Sequence, residues 1–201
     1  MTRPLPITHL LYLHGFRSSP QSTKARTLAR QLARHHPSVH WWCPQLPASP
    51  RAAMTLLRQG TSDWTQESMA VVGSSLGGFY ATALAQETLC RAVLLNPAIN
   101  PARDLKKHIG EQTSWHDPQQ RFFFGPEFVQ ELHELQALTR PGLARPERYL
   151  VVIAKGDELL DWREMRERYA GAHIRLLEGG DHALSDFDAQ LPAVLAFLGL
   201  N

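Results

Sequence analysis

The pentapeptide Gly-Ser-Ser-Leu-Gly at residues 73–77 constrains the fold of this chain more than any other segment. It follows the apolar run 69–72 and opens a helical stretch at 76–88, so the sequence predicts a buried strand, a tight turn and a helix. A Gly-x-Ser-x-Gly turn in this context strains the backbone of its central serine and exposes the hydroxyl. The segment therefore predicts Ser75 as a nucleophile, with a coincidental turn as the alternative.

A serine of this kind requires an acid and a histidine later in the chain, in that order. Asp157 follows the apolar run 149–154, and His182 lies in a glycine-rich loop after the run 173–177. Open parallel sheets gather their sites at the carboxyl ends of the strands. We therefore expect Ser75, Asp157 and His182 to converge as a catalytic triad.

Two other carboxylates compete with Asp157 for the role of the acid. Asp161 lies four residues further on, where we expect the first turn of a helix and where an acid suits the helix dipole. Asp181 directly precedes His182, and sequence neighbours rarely point at one another well enough to orient an imidazole. A turn or cap role suits Asp181 better, so the prediction is Asp157.

Acyl transfer also requires hydrogen-bond donors for the oxyanion, and two backbone amides are candidates. One is the N–H of Leu76, which follows the nucleophile, and the other belongs to the loop after the first strand. That strand is the run 9–13, which places Phe16 as the second donor. His14 is expected to brace this loop, because His182 already fills the role of the base.

Six motifs spread along nearly the whole chain form a recognisable set. They are YLHGFRSSP at 12–20, PQLP at 44–47, VGSSLGG at 72–78, NPA at 96–98, GDELLD at 156–161 and GGDHA at 179–183. Through them the chain resembles the small α/β-hydrolases of the YqiA/YcfP type. The resemblance implies a hydrolase of carboxylic esters or thioesters that uses Ser75, Asp157 and His182 without a cofactor. It is weakest over 102–148 and therefore implies little about the substrate.

The remaining apolar runs alternate with helical patterns along the chain. Strands are predicted at 9–13, 39–43, 69–73, 91–95, 149–154 and 173–177, and helices at 20–35, 51–59, 76–88, 158–170 and 183–198. This alternation predicts an α/β fold with a parallel sheet covered by helices on both faces. The resemblance implies a minimal six-stranded α/β-hydrolase sheet in the order 2-1-3-4-5-6, counted along the chain.

The segment 98–147 is too long for a plain connection between strands, so it is a candidate lid or cap insertion. A helix is expected after Pro126. The segment carries four aromatic residues that are candidates for the substrate pocket, namely Trp115, Phe122, Phe123 and Phe124. The alternative is that these aromatics only pack the helix against the sheet.

Composition agrees with one α/β domain over residues 1–201, since 43% of the chain is hydrophobic and no repeat divides it. No apolar signal core or membrane span is evident, so we expect a cytoplasmic protein without a membrane partner. The net charge of +2 is too small to indicate a nucleic-acid partner. Cys43 and Cys90 show no metal spacing, and we expect both to be reduced and structural, with no metal bound.

These observations favour a serine esterase or thioesterase whose partner is a small acyl ester or thioester. Two alternatives remain open from the sequence. A serine peptidase shares the triad and differs mainly in its pocket, and a binding protein keeps the fold without turnover. An intact set of Ser75, Asp157 and His182 argues against the binding protein. The acyl chain, the leaving group and the oligomeric state do not follow from the sequence.

Overall fold

The computed structural model describes residues 5–139 and 142–201, and eight strands and seven helices lie within them. The strands are β1 (His9–Leu13), β2 (His40–Trp42), β3 (Met69–Ser74), β4 (Arg91–Leu95), β5 (Gly110–Thr113), β6 (Arg121–Phe124), β7 (Tyr149–Ala154) and β8 (His173–Leu177). The helices are α1 (Thr23–His35), α2 (Pro50–Gly60), α3 (Leu76–Thr88), α4 (Pro101–Leu105), α5 (Pro126–Thr139), α6 (Trp162–Arg168) and α7 (Phe187–Leu198). Short 3-10 turns precede β3, β5 and β7.

The main sheet has six parallel strands in the order β2-β1-β3-β4-β7-β8. Counted along the chain within this sheet, the order is 2-1-3-4-5-6, so the expected topology is confirmed. The strand order reverses between β1 and β3, and ligands of open α/β sheets bind beyond the carboxyl ends of the strands at such a switch point. The segments after β1 and β3 are therefore where a site is expected.

Helices cover both faces of this sheet. On one face α2, α3, α5 and α6 bury a core that includes Leu84 and Leu132, and on the other α1 and α7 bury a core that includes Leu28 and Val194. The central strands are buried on both sides, which explains why their sequences are apolar without alternation. Within the described residues no helix is long and apolar enough to cross a membrane.

Helix α6 begins later than the sequence pattern indicated, at Trp162 instead of residue 158. The carboxylate of Asp157 accepts hydrogen bonds from the N–H groups of Leu159 and Leu160, both at 2.9 Å, and these bonds hold the preceding residues in a turn. Asp161 then caps the helix by accepting from the N–H of Arg163. Asp161 was predicted to lie in the first turn of this helix. The structure instead places it directly before the helix, at the N-cap.

Two other helices are also shorter than predicted. Helix α1 begins at Thr23 rather than at residue 20, because Ser19 accepts a hydrogen bond from the N–H of Gln21 in a turn before the helix. Helix α7 begins at Phe187 rather than at 183, since Asp181 accepts from Ser185 and fixes a turn there. In all three cases a short polar side chain bonds the backbone locally and delays the helix.

The segment 98–147 contains the predicted helix and two elements that the sequence did not predict, the short helix α4 and a hairpin. Helix α5 begins at Pro126 as expected and packs against α2, where Glu131 accepts a hydrogen bond from the hydroxyl of Ser49. The hairpin is two-stranded and antiparallel and consists of β5 and β6, with Phe122 opposite Gln112. The hairpin lies on the loop after β1. That the segment 98–147 moves as a lid stays a prediction.

Candidate active site

Ser75 occupies the turn between β3 and α3 with φ 56° and ψ −121°, a conformation that costs a non-glycine residue on the order of 1–3 kcal/mol. The turn is tight because glycines flank it. A Cβ added at Gly77 would lie 2.1 Å from the carbonyl oxygen of Leu13, and one at Gly73 would lie 2.3 Å from the carbonyl oxygen of Gly77. No other residue type fits at these two positions, so their glycines are explained by close backbone approach.

His182 lies between the hydroxyl of Ser75 and the carboxylate of Asp157. Its Nε2 is 2.9 Å from Ser75 Oγ, and its Nδ1 is 2.8 Å from Asp157 Oδ2. The structure thus brings together the three residues that the sequence singled out, although they are separated by 82 and 25 positions along the chain. This is the arrangement in which an imidazole accepts the proton of a serine.

The surroundings of Asp157 fix the tautomer of the imidazole. The side chain of Asp157 is 0% exposed, and its other oxygen accepts from the amides of Leu159 and Leu160. A carboxylate only accepts hydrogen bonds, so the proton of a neutral His182 lies on Nδ1 and faces it. Nε2 is then left with a lone pair directed at the hydroxyl of Ser75, as a general base requires.

The two residues whose amides are predicted as oxyanion donors lie in segments that adjoin Ser75. Leu76 follows Ser75, and Gly15 lies so close that an added Cβ would be 3.6 Å from Ser75 Oγ. Phe16 and Leu76 both line the cavity described below. Within the described residues, neither of their N–H groups donates to a protein acceptor, so both are free to bind a ligand oxygen.

His14 braces the loop that carries Phe16. The buried ring accepts a hydrogen bond at Nε2 from the N–H of Leu46, so Nδ1 carries the proton and donates it to the carbonyl oxygen of Gly15. Burial lowers the pKa of His14, and the bond to Gly15 opposes this only in part. The neutral ring therefore links the loop after β1 to the loop after β2 through two hydrogen bonds. This position agrees with the bracing role expected from the sequence.

A cavity of about 150 Å³ lies beneath the β5–β6 hairpin, and its lining includes Gly15 and Leu76, which are neighbours of Ser75. Its walls come from the loop after β1, the loop after β2, the start of α3 and the hairpin. Apolar side chains line much of it, namely Phe16, Leu46, Pro47, Leu76, Tyr80 and Phe122, while Arg17 and Arg121 lie among the polar residues of the lining. The cavity adjoins the proposed oxyanion donors, which suits the acyl part of a substrate.

Of the four aromatic residues predicted for the pocket, Phe122 lies in the cavity wall and the other three lie elsewhere. Phe124 is buried in the core, where its ring is 5.2 Å from that of Phe16. Phe123 is 59% exposed on the outer face of the hairpin, because neighbouring strand residues point to opposite faces. Trp115 is 66% exposed and stacks with Arg17 at 4.0 Å. Of the four, the structure therefore places Phe122 in the wall of this cavity.

The loop that carries His182 has anchors that the sequence did not reveal. Glu158 accepts a hydrogen bond from the N–H of His182 at 2.9 Å, and Lys24 donates to the carbonyl oxygen of Ala183. Burial lowers the pKa of Lys24 to about 8, while the nearby Asp181 opposes that shift. Lys24 is on α1, far away in sequence, so no local pattern indicates its contact with this loop.

Asp181 does not contact the imidazole. Its carboxylate accepts hydrogen bonds from the hydroxyl and the N–H of Ser185, at 2.6 and 2.8 Å, and these bonds lower its pKa. This is the turn role that the sequence predicted. Among the described residues, no cluster of three or more histidine, cysteine, aspartate or glutamate side chains is arranged to hold a metal ion.

The two cysteines are not joined to one another, and Cys43 is partly buried while Cys90 is buried. Burial raises the pKa of the Cys43 thiol to about 12 and that of the Cys90 thiol to about 11. The thiolate is the reactive form of cysteine, so neither side chain is a competing nucleophile at neutral pH.

Solved structures with the same fold are numerous, and their identities to this chain are low. Est1E from Butyrivibrio proteoclasticus with bound ferulic acid has a TM-score of 0.71 at 13% identity, covering 96% of this chain and 88% of that one. Mouse alpha/beta hydrolase domain-containing protein 10 has a TM-score of 0.68 at 15% identity, covering 94% and 90%. An esterase domain from Rhodothermus marinus has a TM-score of 0.66 at 20% identity, covering 97% and 85%.

The parallel sheet, its strand order and these structures define the chain as an α/β-hydrolase in fold. Within that class, the model of the uncharacterised protein family UPF0227 matches residues 9–199, and the chain belongs to this family. The family is that of the YqiA/YcfP type, so the resemblance inferred from the six sequence motifs is confirmed.

Proposed function

We propose that this protein is a serine hydrolase of carboxylic esters or acyl thioesters. The observation that carries the proposal is the position of His182, which contacts Ser75 Oγ at 2.9 Å and Asp157 Oδ2 at 2.8 Å. Hydrogen-bond reach between nucleophile and base, with the base oriented by a third group, is the geometry of an activated serine. Solved proteins of the same fold include ones named as esterases, which agrees with an ester substrate.

In the first half of the proposed reaction, Ser75 Oγ attacks the acyl carbonyl carbon while Nε2 of His182 takes the hydroxyl proton. The carbonyl oxygen becomes an oxyanion held by the N–H groups of Phe16 and Leu76, each worth about 2.7–4 kcal/mol in the transition state. Nε2 then gives its proton to the leaving alcohol or thiol, and the acyl group stays on Ser75. Asp157 holds the imidazolium that forms in between.

In the second half, a water molecule replaces the leaving group. Nε2 of His182 takes a proton from this water, and the resulting hydroxide attacks the carbonyl carbon of the acyl-serine. The same two amides stabilise the second oxyanion. Collapse of this intermediate releases the carboxylic acid and returns the proton to Ser75 Oγ, so the side chains end in their initial state.

The cavity beneath the hairpin sets an upper limit on the acyl group that it encloses. The cavity is small, about 150 Å³, and apolar side chains line much of it. We therefore expect it to accept a short acyl chain more readily than a long one. Each enclosed methylene should add about 1–3 kcal/mol of selectivity.

The test is a hydrolysis profile over p-nitrophenyl esters, matched acyl thioesters and peptide amides, with Ser75→Ala as the control. We expect turnover of esters or thioesters with the highest kcat/KM for short acyl chains, because the apolar cavity is small. The Ser75→Ala variant should lose this activity. Cleavage of peptide amides with little action on esters would indicate a peptidase, and no turnover of any acyl substrate would contradict the proposal.

A further inference from the structure

Asn96 lies directly after β4, and none of its surface is exposed. Its backbone has φ 41°, in the left-handed region that asparagine tolerates better than most residues. Its N–H donates to the carbonyl oxygen of Val152 in β7 at 2.9 Å. A buried polar side chain in a strained conformation must be held by its partners, so its contacts indicate what it does.

The side-chain amide of Asn96 joins the strand that leads to Asp157 to the loop that carries His182. Its Oδ1 accepts from the N–H of Ala154 at 2.8 Å, three residues before Asp157. Its Nδ2 donates to the carbonyl oxygens of Asp181 and His182 at 3.0 and 3.2 Å. An N–H only donates and a carbonyl oxygen only accepts, so these partners permit one orientation of the amide.

The same turn also holds the nucleophile. The N–H of Ser75 donates to the carbonyl oxygen of Leu95 at 3.0 Å, and the N–H of Ala98 donates to the carbonyl oxygen of Ser75 at 3.0 Å. Residues 95–98 therefore bond directly to the segments of Ser75 and His182, and to the end of the strand before Asp157. Within this turn, Asn96 is the residue whose side chain reaches the histidine loop.

We propose that Asn96 is a positioning residue that sets the place of His182 relative to Ser75 and Asp157. This inference rests on the proposed function, since it assigns Asn96 to the alignment of that triad. Reaction rates respond steeply to alignment, and a displacement of about 1 Å costs about 10²-fold. The acyl cavity and the oxyanion amides do not contact the side chain of Asn96, so substrate binding should be spared.

Two substitutions separate alignment from backbone strain. Asn96→Gly accepts φ 41° without cost and removes all three side-chain bonds. Asn96→Asp keeps an acceptor for the N–H of Ala154, but an ionised carboxylate cannot donate to the carbonyl oxygens of Asp181 and His182, and a protonated one donates a single bond in place of the two of asparagine. For both variants we expect kcat on a short-chain ester to fall by about 10²-fold. KM should change by no more than about twofold.

The spectroscopic measurement is the proton NMR resonance of His182 Nδ1–H, which reports the bond to Asp157 and does not depend on turnover. It should shift or broaden in both Asn96 variants. Gln136→Ala is the matched control, because Gln136 is also a buried amide that bonds a loop, through Ile99 and Asn100, without contact to the triad. This control should lose stability while kcat and the Nδ1–H resonance stay as in the wild type.

If the Asn96 variants lose stability like Gln136→Ala but keep the wild-type kcat and Nδ1–H resonance, Asn96 only supports the fold and the inference is refuted. Should Asn96→Gly not fold, Asn96→Asp decides by the same two measurements. A wild-type protein without turnover would refute the proposed function instead. In that case the Nδ1–H resonance alone decides whether Asn96 positions His182.

Discussion

Replacing Asp157 by asparagine should abolish nearly all activity without unfolding the protein. The asparagine oxygen keeps the two hydrogen bonds from the amides of Leu159 and Leu160, so the turn is preserved. Its Nδ2 group then faces Nδ1 of His182 at the 2.8 Å position of the former carboxylate oxygen. Two donors cannot share this contact, so the imidazole must move its proton to Nε2.

An imidazole with its proton on Nε2 cannot take the proton of Ser75, and the imidazolium also loses its counter-charge. Replacing the aspartate of a Ser-His-Asp triad by asparagine lowers kcat by about 10⁴-fold. Since each tenfold is about 1.36 kcal/mol, the barrier should rise by about 5 kcal/mol. The assay is kcat on a short-chain p-nitrophenyl ester at neutral pH, with thermal unfolding to show that the variant is folded.

Asp161→Asn is the matched control for this substitution. Asp161 is half-exposed and caps α6 through the N–H of Arg163, and asparagine is as good a cap. Its kcat should stay within about twofold of the wild type, because no triad contact changes. If folded Asp161→Asn is as impaired as folded Asp157→Asn, or if Asp157→Asn retains a tenth or more of the wild-type kcat, Asp157 is not the acid that orients His182.

Three further predictions concern the pocket, the turn and the loop. Phe122→Ala should shift the preferred acyl chain to greater length, because it enlarges the cavity. The control Phe123→Ala should leave the preference unchanged, because Phe123 is exposed. Equal ester profiles for the two variants would contradict this prediction. Gly77→Ala should lower the free energy of unfolding, measured in denaturant, by about 1–3 kcal/mol or more. Gly179→Ala should be tolerated, because the space around an added Cβ is open there. Similar losses of unfolding free energy in both variants would contradict this prediction. Burial lowers the pKa of His14, so the folded protein binds fewer protons than the unfolded chain and its stability should fall as the pH drops below about 6.5. His14→Gln keeps an acceptor for the Leu46 amide and should reduce this pH slope of the unfolding free energy, and an unchanged slope would show that His14 is not its source.

The sheet and the triad positions could be predicted from sequence because each depends on local signals. Apolar runs without alternation mark strands buried on both faces, and glycines flank the turn at Ser75 where a Cβ does not fit. The chain order of Ser75, Asp157 and His182 then follows from the topology. Each of these signals comes from residues close together in the sequence. The parallel sheet then brings Ser75, Asp157 and His182 together at the carboxyl ends of its strands.

What the sequence did not predict depends on long-range contacts or on competing local bonds. The β5–β6 hairpin rests on a ring contact between Phe16 and Phe122, two residues far apart in the chain. The outward orientation of Phe123 follows from a strand that the pattern of three consecutive aromatics did not indicate. The start of α6 was misplaced because the side chain of Asp157 bonds the backbone before the helix begins.

The proposed hydrolase activity requires Ser75 to be an activated nucleophile. Incubation with a fluorophosphonate probe, followed by peptide mass spectrometry, tests this directly, since such probes react with serines that a histidine activates beside an oxyanion site. We predict one adduct, on Ser75, that is absent from Ser75→Ala and strongly reduced in His182→Ala. An adduct on Ser74, continued labelling of Ser75→Ala, or no labelling of the folded wild-type protein would contradict the central claim.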